Sequence, residues 1–181
     1  SNDDDMTALV FKVRPRRAIN VMIGPPADPK DDARVLKLFF AKEGSHICCG
    51  GSTAHMISRY LNKPIIPVED SGTDKVPAIA TIEGMDLVTE GIITLQQVAD
   101  LAEQYVSDNR LSITINSGND GVSLLCAYLF EQATDINFFF GKAENTANDD
   151  LDIGMDAKAI VINRLISSLR EMGKNVKISR C

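Results

Sequence analysis

The first seventy residues alternate between short apolar runs and amphipathic segments, and this alternation constrains the fold more than any other feature. Ala18–Ile23 is an apolar run that ends at Gly24, as a buried parallel strand does. Residues 28–42 then open with an N-cap aspartate, a proline and an acidic first turn, which predicts a helix. Three residues at helical spacing should form its inner face: Val35, Leu38 and Phe39.

The alternation repeats once more along the chain. Ser45–Cys49 predicts a second strand, residues 52–61 a second helix and residues 63–68 a third strand. Four residues should line the inner face of that helix: Ala54, Ile57, Tyr60 and Leu61. Strand and helix in this order are typical of right-handed parallel crossovers. The sequence therefore predicts an α/β fold with a three-layer, doubly wound, mainly parallel sheet of the Rossmann-like kind.

The second half of the chain continues with mixed signals. A strand is predicted at 76–82, and a capping box at 94–97 predicts a helix that continues to about residue 106. Asn119 and Asp120 form a good N-cap pair for a further helix, and residues 136–140 predict a central strand. The polar segment 141–154 predicts a lid or a mobile loop. A last helix at 156–172 and a strand at 175–179 should complete the sheet.

Length, charge and hydropathy exclude several classes of protein. A chain of 181 residues suffices for one α/β domain. The net charge of −6 argues against a nucleic acid or an anionic membrane as partner, because both need a positive surface. No apolar run approaches the roughly 18 residues of a membrane span, and no secretory signal is visible. We expect a cytoplasmic protein.

Ligands of open parallel sheets bind beyond the carboxyl ends of the strands, where helix N-termini also gather. Four predicted strands end in polar loops that contain glycine. These loops are Gly24-Pro25-Pro26, Gly50-Gly51-Ser52-Thr53, Thr89-Glu90-Gly91 and Gly141-Lys142-Ala143-Glu144-Asn145. Their convergence at one edge predicts a binding site for a small anionic ligand.

Gly50-Gly51-Ser52-Thr53 is the most informative of the four loops. Two glycines allow close approach of a ligand to the backbone, and the amides at the start of the next helix attract phosphate or carboxylate. Ser52 and Thr53 would add hydroxyl donors. The alternative is a tight turn in which Ser52 is simply the N-cap. The loop matches neither the G-x-G-x-x-G pattern nor a Walker A lysine pattern.

Other polar residues extend the candidate site. Asp86, Thr89 and Glu90 would accept hydrogen bonds from a sugar hydroxyl or help to bind a metal, although capping and turn formation explain them equally well. Asn145 would face the same space from its own loop. His46 and His55 lack a nucleophile or an orienting carboxylate, so structural roles are favoured.

The four cysteines show no C-x-x-C spacing. Neighbouring Cys48 and Cys49 on one strand would point to opposite faces, so they are poorly placed to share a metal. Buried thiols are favoured, and a redox-responsive Cys49 beside the glycine loop remains the alternative.

The N-terminal residues carry a resemblance to a known family. The sequence Asp4-Asp5-Met6-Thr7-Ala8-Leu9-Val10 resembles the D-D-x-T-x-x-V end of metal-dependent protein phosphatases of the stage II sporulation protein E family. Three further motifs resemble the C-terminal extension of one subgroup from anaerobes. They are Gly24-Pro25-Pro26-Ala27-Asp28-Pro29, Cys49-Gly50-Gly51-Ser52-Thr53-Ala54 and Asp86-Leu87-Val88-Thr89-Glu90-Gly91.

The resemblance implies residues 1–14 to be the last strand of a catalytic domain and residues 15–181 to be an appended α/β domain. Asp4 would be one ligand of manganese or magnesium, and a phosphoprotein would be the substrate of the intact enzyme. We expect this chain alone to lack phosphatase activity, because a two-metal site needs several carboxylates.

Three functions remain open at this point. The first is a regulatory, ligand-binding domain of such a serine/threonine phosphatase. The second is an independent enzyme that acts on a phosphorylated metabolite, and the third is a structural or dimerisation domain. An unpaired strand at 3–13 would favour a homodimer, since exposed strand edges tend to find partner chains.

Overall fold

The computed structural model describes residues 8–11, 13–107, 118–142 and 153–181. The strands are β1 (Ala18–Ile23), β2 (Ser45–Cys49), β3 (Ile66–Pro67), β4 (Ala80–Thr81), β5 (Leu87–Thr89), β6 (Asp135–Phe140) and β7 (Asn175–Arg180). The helices are α1 (Asp32–Phe40), preceded by a 3-10 turn at Pro29–Asp31, α2 (Gly51–Leu61), α3 (Ile92–Ser107), α4 (Gly121–Cys126) and α5 (Ile153–Glu171). A π-helical segment, Ala127–Gln132, extends α4.

The strands form one seven-stranded, mostly parallel sheet in the order β3-β4-β5-β2-β1-β6-β7. β1 pairs in parallel with β2 on one side and with β6 on the other, and β6 pairs in parallel with β7. β4 runs antiparallel to both of its neighbours, β3 and β5. The predicted α/β, Rossmann-like fold is therefore confirmed, and β1 and β6 are central as their apolar composition requires.

The apolar side chains form two separate clusters because successive residues of a strand point to opposite faces. Val21 and Cys49 belong to the larger cluster, to which α3, α4 and α5 contribute. Met22 and Cys48 belong to the smaller one, with residues of α1 and α2. The prediction that Cys48 and Cys49 face opposite ways is confirmed, and both thiols are buried.

The predicted third parallel strand at 63–68 is wrong. Only Ile66–Pro67 forms a strand there, at the exposed edge of the sheet, and it pairs antiparallel with β4. Prolines at 64 and 67 remove backbone donors, which confines such a segment to an edge. The position beside β2 is taken by β5 instead.

The helix faces and caps also depart in part from the prediction. Val35, Phe39, Ala54 and Ile57 are buried as expected, but Leu38 is 53% and Tyr60 42% exposed, and Leu36 and Met56 are buried in their place. The capping box at 94–97 is wrong, because α3 already begins at Ile92 and Thr94 is buried inside its first turn. Asp120 does cap α4, accepting from the amides of Val122 and Ser123.

Residues 8–11 and 13–17, which precede β1, lie outside the sheet. Leu9, Val10, Phe11 and Val13 are strongly exposed. Arg17 anchors the end of this segment, because its carbonyl accepts from the amides of Thr134 and Asp135. Within the described residues, no helix has both the length and the hydrophobicity to cross a membrane.

Candidate functional site

A cavity of about 120 Å³ lies at the carboxyl edge of the sheet, where β1, β2 and β5 end. We call it the carboxyl-edge cavity. Six residues predicted as site residues line it: Gly24, Gly50, Gly51, Ser52, Thr53 and Glu90. Lys158 of α5 and Ile92 at the start of α3 line it as well. Three of the predicted loops therefore meet in space, since parallel strands end at the same edge.

Gly50 links β2 to α2 in a conformation that side chains rarely adopt. Its φ is +117°, and Gly24 across the cavity has φ +80°. Gly51 differs, because its φ lies outside the positive range and a Cβ there would meet open space. The backbone conformation at position 50 therefore requires glycine. Position 51 has no such requirement, but a glycine there leaves the start of α2 uncovered by a side chain.

Gly50 is the N-cap of α2, which corrects the alternative that assigned this role to Ser52. Ser52 is instead the second residue of the helix and is exposed. Gly50 has no side chain with which to cap, and the first N–H groups of a helix have no acceptor within it. The first turn of α2 therefore presents amides, and beside them the Ser52 hydroxyl, at the cavity.

Thr53 and Thr89, which were predicted as ligand contacts, make hydrogen bonds that hold the loops together. Thr53 is buried, and its hydroxyl accepts from the Gly24 amide at 2.9 Å and reaches the Cys49 carbonyl at 3.4 Å. The Thr89 hydroxyl donates to the Glu90 carbonyl at 2.8 Å. The carbonyl of Thr89 accepts from the amide of Gly50. These bonds fix the three loops to one another rather than to a ligand.

Charged side chains enter the cavity from two elements. The Glu90 carboxylate accepts from the amide of Ile93 at 3.2 Å, so it caps α3. Lys158 is half-buried and brings a cation from the last helix. Lys158 was missed in the sequence, because a helical lysine more than a hundred residues from the glycine loop gives no local signal. With it, amides and an ammonium surround one small space.

Four predicted site residues are not placed at this cavity by the described structure, and Thr89, which is buried at the end of β5, is one of them. Asp86 lies at the opposite end of β5, where its carboxylate accepts from the amide of His46 at 2.7 Å. A residue just before a strand and one just after it cannot share a site at the same edge, so the two ends of the Asp86–Gly91 motif separate. Asn145 and Asp4 lie outside the described residues.

The buried thiol and the half-buried histidine do not supply a nucleophile. Burial raises the pKa of Cys49 to about 12, so the thiol stays protonated near neutrality. Burial also raises the pKa of Cys48 well above its usual value. A ring nitrogen of His46 lies 3.0 Å from the carbonyl oxygen of Phe39, and the imidazole packs edge-on against the Phe39 ring. This is the structural role predicted for it.

The implied metal finds no ligand set in the described part of the chain. No three His, Cys, Asp or Glu side chains gather there in a way that would hold an ion.

No family model, curated protein or solved structure matches this chain. The resemblance to the sporulation phosphatases therefore depends on the sequence motifs alone. Chemically, the carboxyl-edge cavity can neutralise one anionic group with backbone amides, a hydroxyl and Lys158. Its volume is about that of a few water molecules, which suits a phosphate or carboxylate head group rather than a whole nucleotide.

Proposed function

We propose that this chain is a regulatory domain of a metal-dependent serine/threonine phosphatase of the stage II sporulation protein E type. In this proposal the domain binds the anionic head group of a small ligand in the carboxyl-edge cavity. The observation that carries the ligand proposal is the meeting of the α2 N-terminus, Ser52 and Lys158 around one space. The phosphatase assignment follows from the motifs at Asp4 and along the glycine loops.

Regulation is favoured over catalysis by the chemistry of the lining residues. Among the described residues that line the cavity, Glu90 is the only carboxylate, and it already caps α3. Cys49 is a protonated, buried thiol. A binding cavity needs donors and a cation, both of which are present, whereas an independent hydrolase also needs a general acid or base. The two hydrophobic clusters support the three-layer, doubly wound arrangement, which we include in the proposal.

The ligand part is tested by thermal unfolding with inorganic phosphate and glucose 6-phosphate. A ligand at 100 times its dissociation constant should stabilise the fold by roughly 2.7 kcal/mol. Lys158→Gln should remove this stabilisation, and Lys37→Gln, at an exposed position of α1 that lines neither cavity, is the matched control. If neither compound stabilises the wild-type chain, or if both variants respond as the wild type does, the cavity is not an anion site.

The phosphatase part is tested with a phosphopeptide and manganese. This chain alone should release no phosphate, whereas a protein that joins it to a complete catalytic domain should hydrolyse the peptide. Lys158→Gln in the joined protein should abolish the response of the rate to the ligand and leave the basal rate unchanged. Hydrolysis by this chain alone that disappears with Asp4→Asn would contradict the assignment of a purely regulatory role.

A further inference from the structure

A second and larger cavity, of about 550 Å³, lies at the amino edge of the sheet. We call it the amino-edge groove. Its walls are the start of β1, the turn between α1 and β2, the end of the π-helical segment, and β6 and β7. The residues that matter for its chemistry are Arg16, Arg17, Lys42, Glu43, Asn137 and Lys177. The carboxyl-edge cavity shares no residue with this groove.

The groove is positive on a chain that is negative overall. Of the lining residues in the described ranges, four are cations and only Glu43 is an acid, whereas the chain as a whole has a net charge of −6. Arg16 is paired with Asp135 at 3.3 Å. In the described part of the chain no carboxylate pairs with Arg17, Lys42 or Lys177. Three cations around one concave surface attract an anion strongly, because their fields add inside the cleft.

Asn137 and Lys177 form the polar floor of the groove, and strand register places a third polar residue, the buried Asn20, next to Asn137. Asn20 of β1 is opposite Asn137 of β6, and Asn137 is opposite Lys177 of β7, so all three lie on one face of the sheet. A buried asparagine in a central strand is costly unless its amide is hydrogen-bonded. Here the cost is offset, because Asn20 donates to the carbonyls of Glu43 and Ser45 at 3.0 and 3.2 Å.

Asn20 also fixes the orientation of Asn137. Its Oδ1 accepts from Nδ2 of Asn137 at 2.9 Å. Asn137 is half-buried and lines the groove, so its own Oδ1 is left to accept from a bound molecule. An oriented amide beside three cations is a combination that recognises a polar group and an anion at once.

We propose that the amino-edge groove binds a small molecule that bears a di- or triphosphate. Arg17, Lys42 and Lys177 contact the phosphates, and Asn137 accepts a hydrogen bond from the remainder of the ligand. The volume lies within the roughly 300–1,000 Å³ of small-molecule sites, in contrast with the carboxyl-edge cavity. This inference does not depend on the proposed function.

The test is calorimetric titration of the chain with ATP, inorganic pyrophosphate and adenosine. ATP and pyrophosphate should both bind saturably, more weakly at about 200 mM than at about 50 mM salt, because screening weakens exposed charge pairs. Adenosine should bind far more weakly than ATP. The double variant Lys42→Gln/Lys177→Gln should weaken ATP binding at least about tenfold, since charged hydrogen bonds contribute more than neutral ones.

Lys37→Gln, at an exposed position of α1 that lines neither cavity, is the matched control, and it should leave ATP binding unchanged. All three lysines lie at the surface or partly so, and a circular dichroism spectrum checks that each variant folds. Absence of saturable ATP and pyrophosphate binding below about 1 mM overturns the proposal. Equal affinity for adenosine and ATP, or loss of binding in Lys37→Gln alone, overturns it as well, because the phosphates would then not be held in the amino-edge groove.

Discussion

The two edges of this sheet contrast in how each cavity is made. At the carboxyl edge, backbone turns and a helix start surround a small space, and the hydroxyl of Thr53 ties the turns together. At the amino edge, exposed cationic side chains surround a larger space over a floor that includes the oriented amide of Asn137. A cavity made from backbone is sensitive to conformation, whereas one made from side chains is sensitive to charge and hydrogen bonding.

The largest expected effect concerns one backbone position at the amino edge, which is as constrained as any at the carboxyl edge. Gly44, in the turn before β2, has φ +104°, and a Cβ there would overlap the carbonyl oxygen of Ala18. Gly44→Ala should therefore lower the free energy of unfolding by about 3 kcal/mol or more, since strained φ and overlap with rigid backbone both contribute. Urea unfolding followed by circular dichroism measures this change.

Gly51→Ala is the matched control at the carboxyl edge. Its Cβ would meet no atom within 4 Å and its φ is not positive, so stability should change by less than about 1 kcal/mol, in the stabilising direction. If Gly44→Ala also changes stability by less than about 1 kcal/mol, the turn at Gly44 relaxes around the added methyl group, and the two positions do not differ in conformational constraint.

The next effect concerns the residue that supports the polar floor of the amino-edge groove. Asn20 is fully buried and holds two carbonyls and the amide of Asn137. Asn20→Ala should cost about 2–3 kcal/mol, because it leaves buried polar groups without partners. Asn175→Ala, which removes an exposed bond to Asp135, should cost well under 1 kcal/mol in the same urea experiment. If the two substitutions lower the free energy of unfolding by similar amounts, water replaces the hydrogen bonds of the Asn20 side chain without penalty.

A third prediction uses pH to compare buried and half-buried thiols. Burial raises the pKa of Cys49 from 9.0 to about 12, so the unfolded chain loses this proton at a lower pH than the folded chain. The stability that the neutral thiol contributes is complete below pH 9 and is lost as pH rises toward 12. Between pH 8 and pH 10 the loss should be about 1.4 kcal/mol.

The measurement compares urea unfolding of the wild type and Cys49→Ala at both pH values under reducing conditions. The stability difference between the two proteins should shrink by that amount on going to pH 10. Cys181→Ala is the control, because that thiol is only half-buried and its pKa is raised less far. If the stability difference between the wild type and Cys49→Ala stays constant with pH, water reaches Cys49 at the cavity.

Sequence alone predicted the elements whose signals are local. β1, β2, β6 and β7 are apolar or alternating runs bounded by turn residues, and α5 ends at Glu171, two residues before Gly173, whose φ is +88°. The meeting of three glycine loops followed from parallel strand order. These inferences need only periodicity and the conformational demands of glycine.

The rest depends on pairing across the chain. Residues 63–68 gave a strand pattern, but prolines and the antiparallel pairing with β4 limited the strand to Ile66–Pro67. The carboxylate that caps α3 is that of Glu90, and the box at 94–97 does not cap it because the helix already begins at Ile92. The row of Asn20, Asn137 and Lys177 exists only through register, and no sequence spacing reveals it.

The smallest expected effect separates the two roles proposed for Ser52. Because Gly50 is the N-cap and Ser52 is exposed, Ser52→Ala should change the free energy of unfolding by less than about 0.5 kcal/mol. Asp120→Ala, at an N-cap that accepts two amides, should cost about 1 kcal/mol by the same measurement.

Stabilisation by phosphate should fall in Ser52→Ala but persist in Asp120→Ala, because only Ser52 lines the carboxyl-edge cavity. If Ser52→Ala were as destabilising as Asp120→Ala, its hydroxyl would be capping α2 in solution. Helix capping would then explain the sequence of the Gly50–Thr53 loop without a ligand. If Ser52→Ala changes neither stability nor phosphate binding, the amides and Lys158 are sufficient to bind the anion. The hydroxyl of Ser52 would then add nothing, and backbone groups would form even more of the carboxyl-edge cavity than we propose.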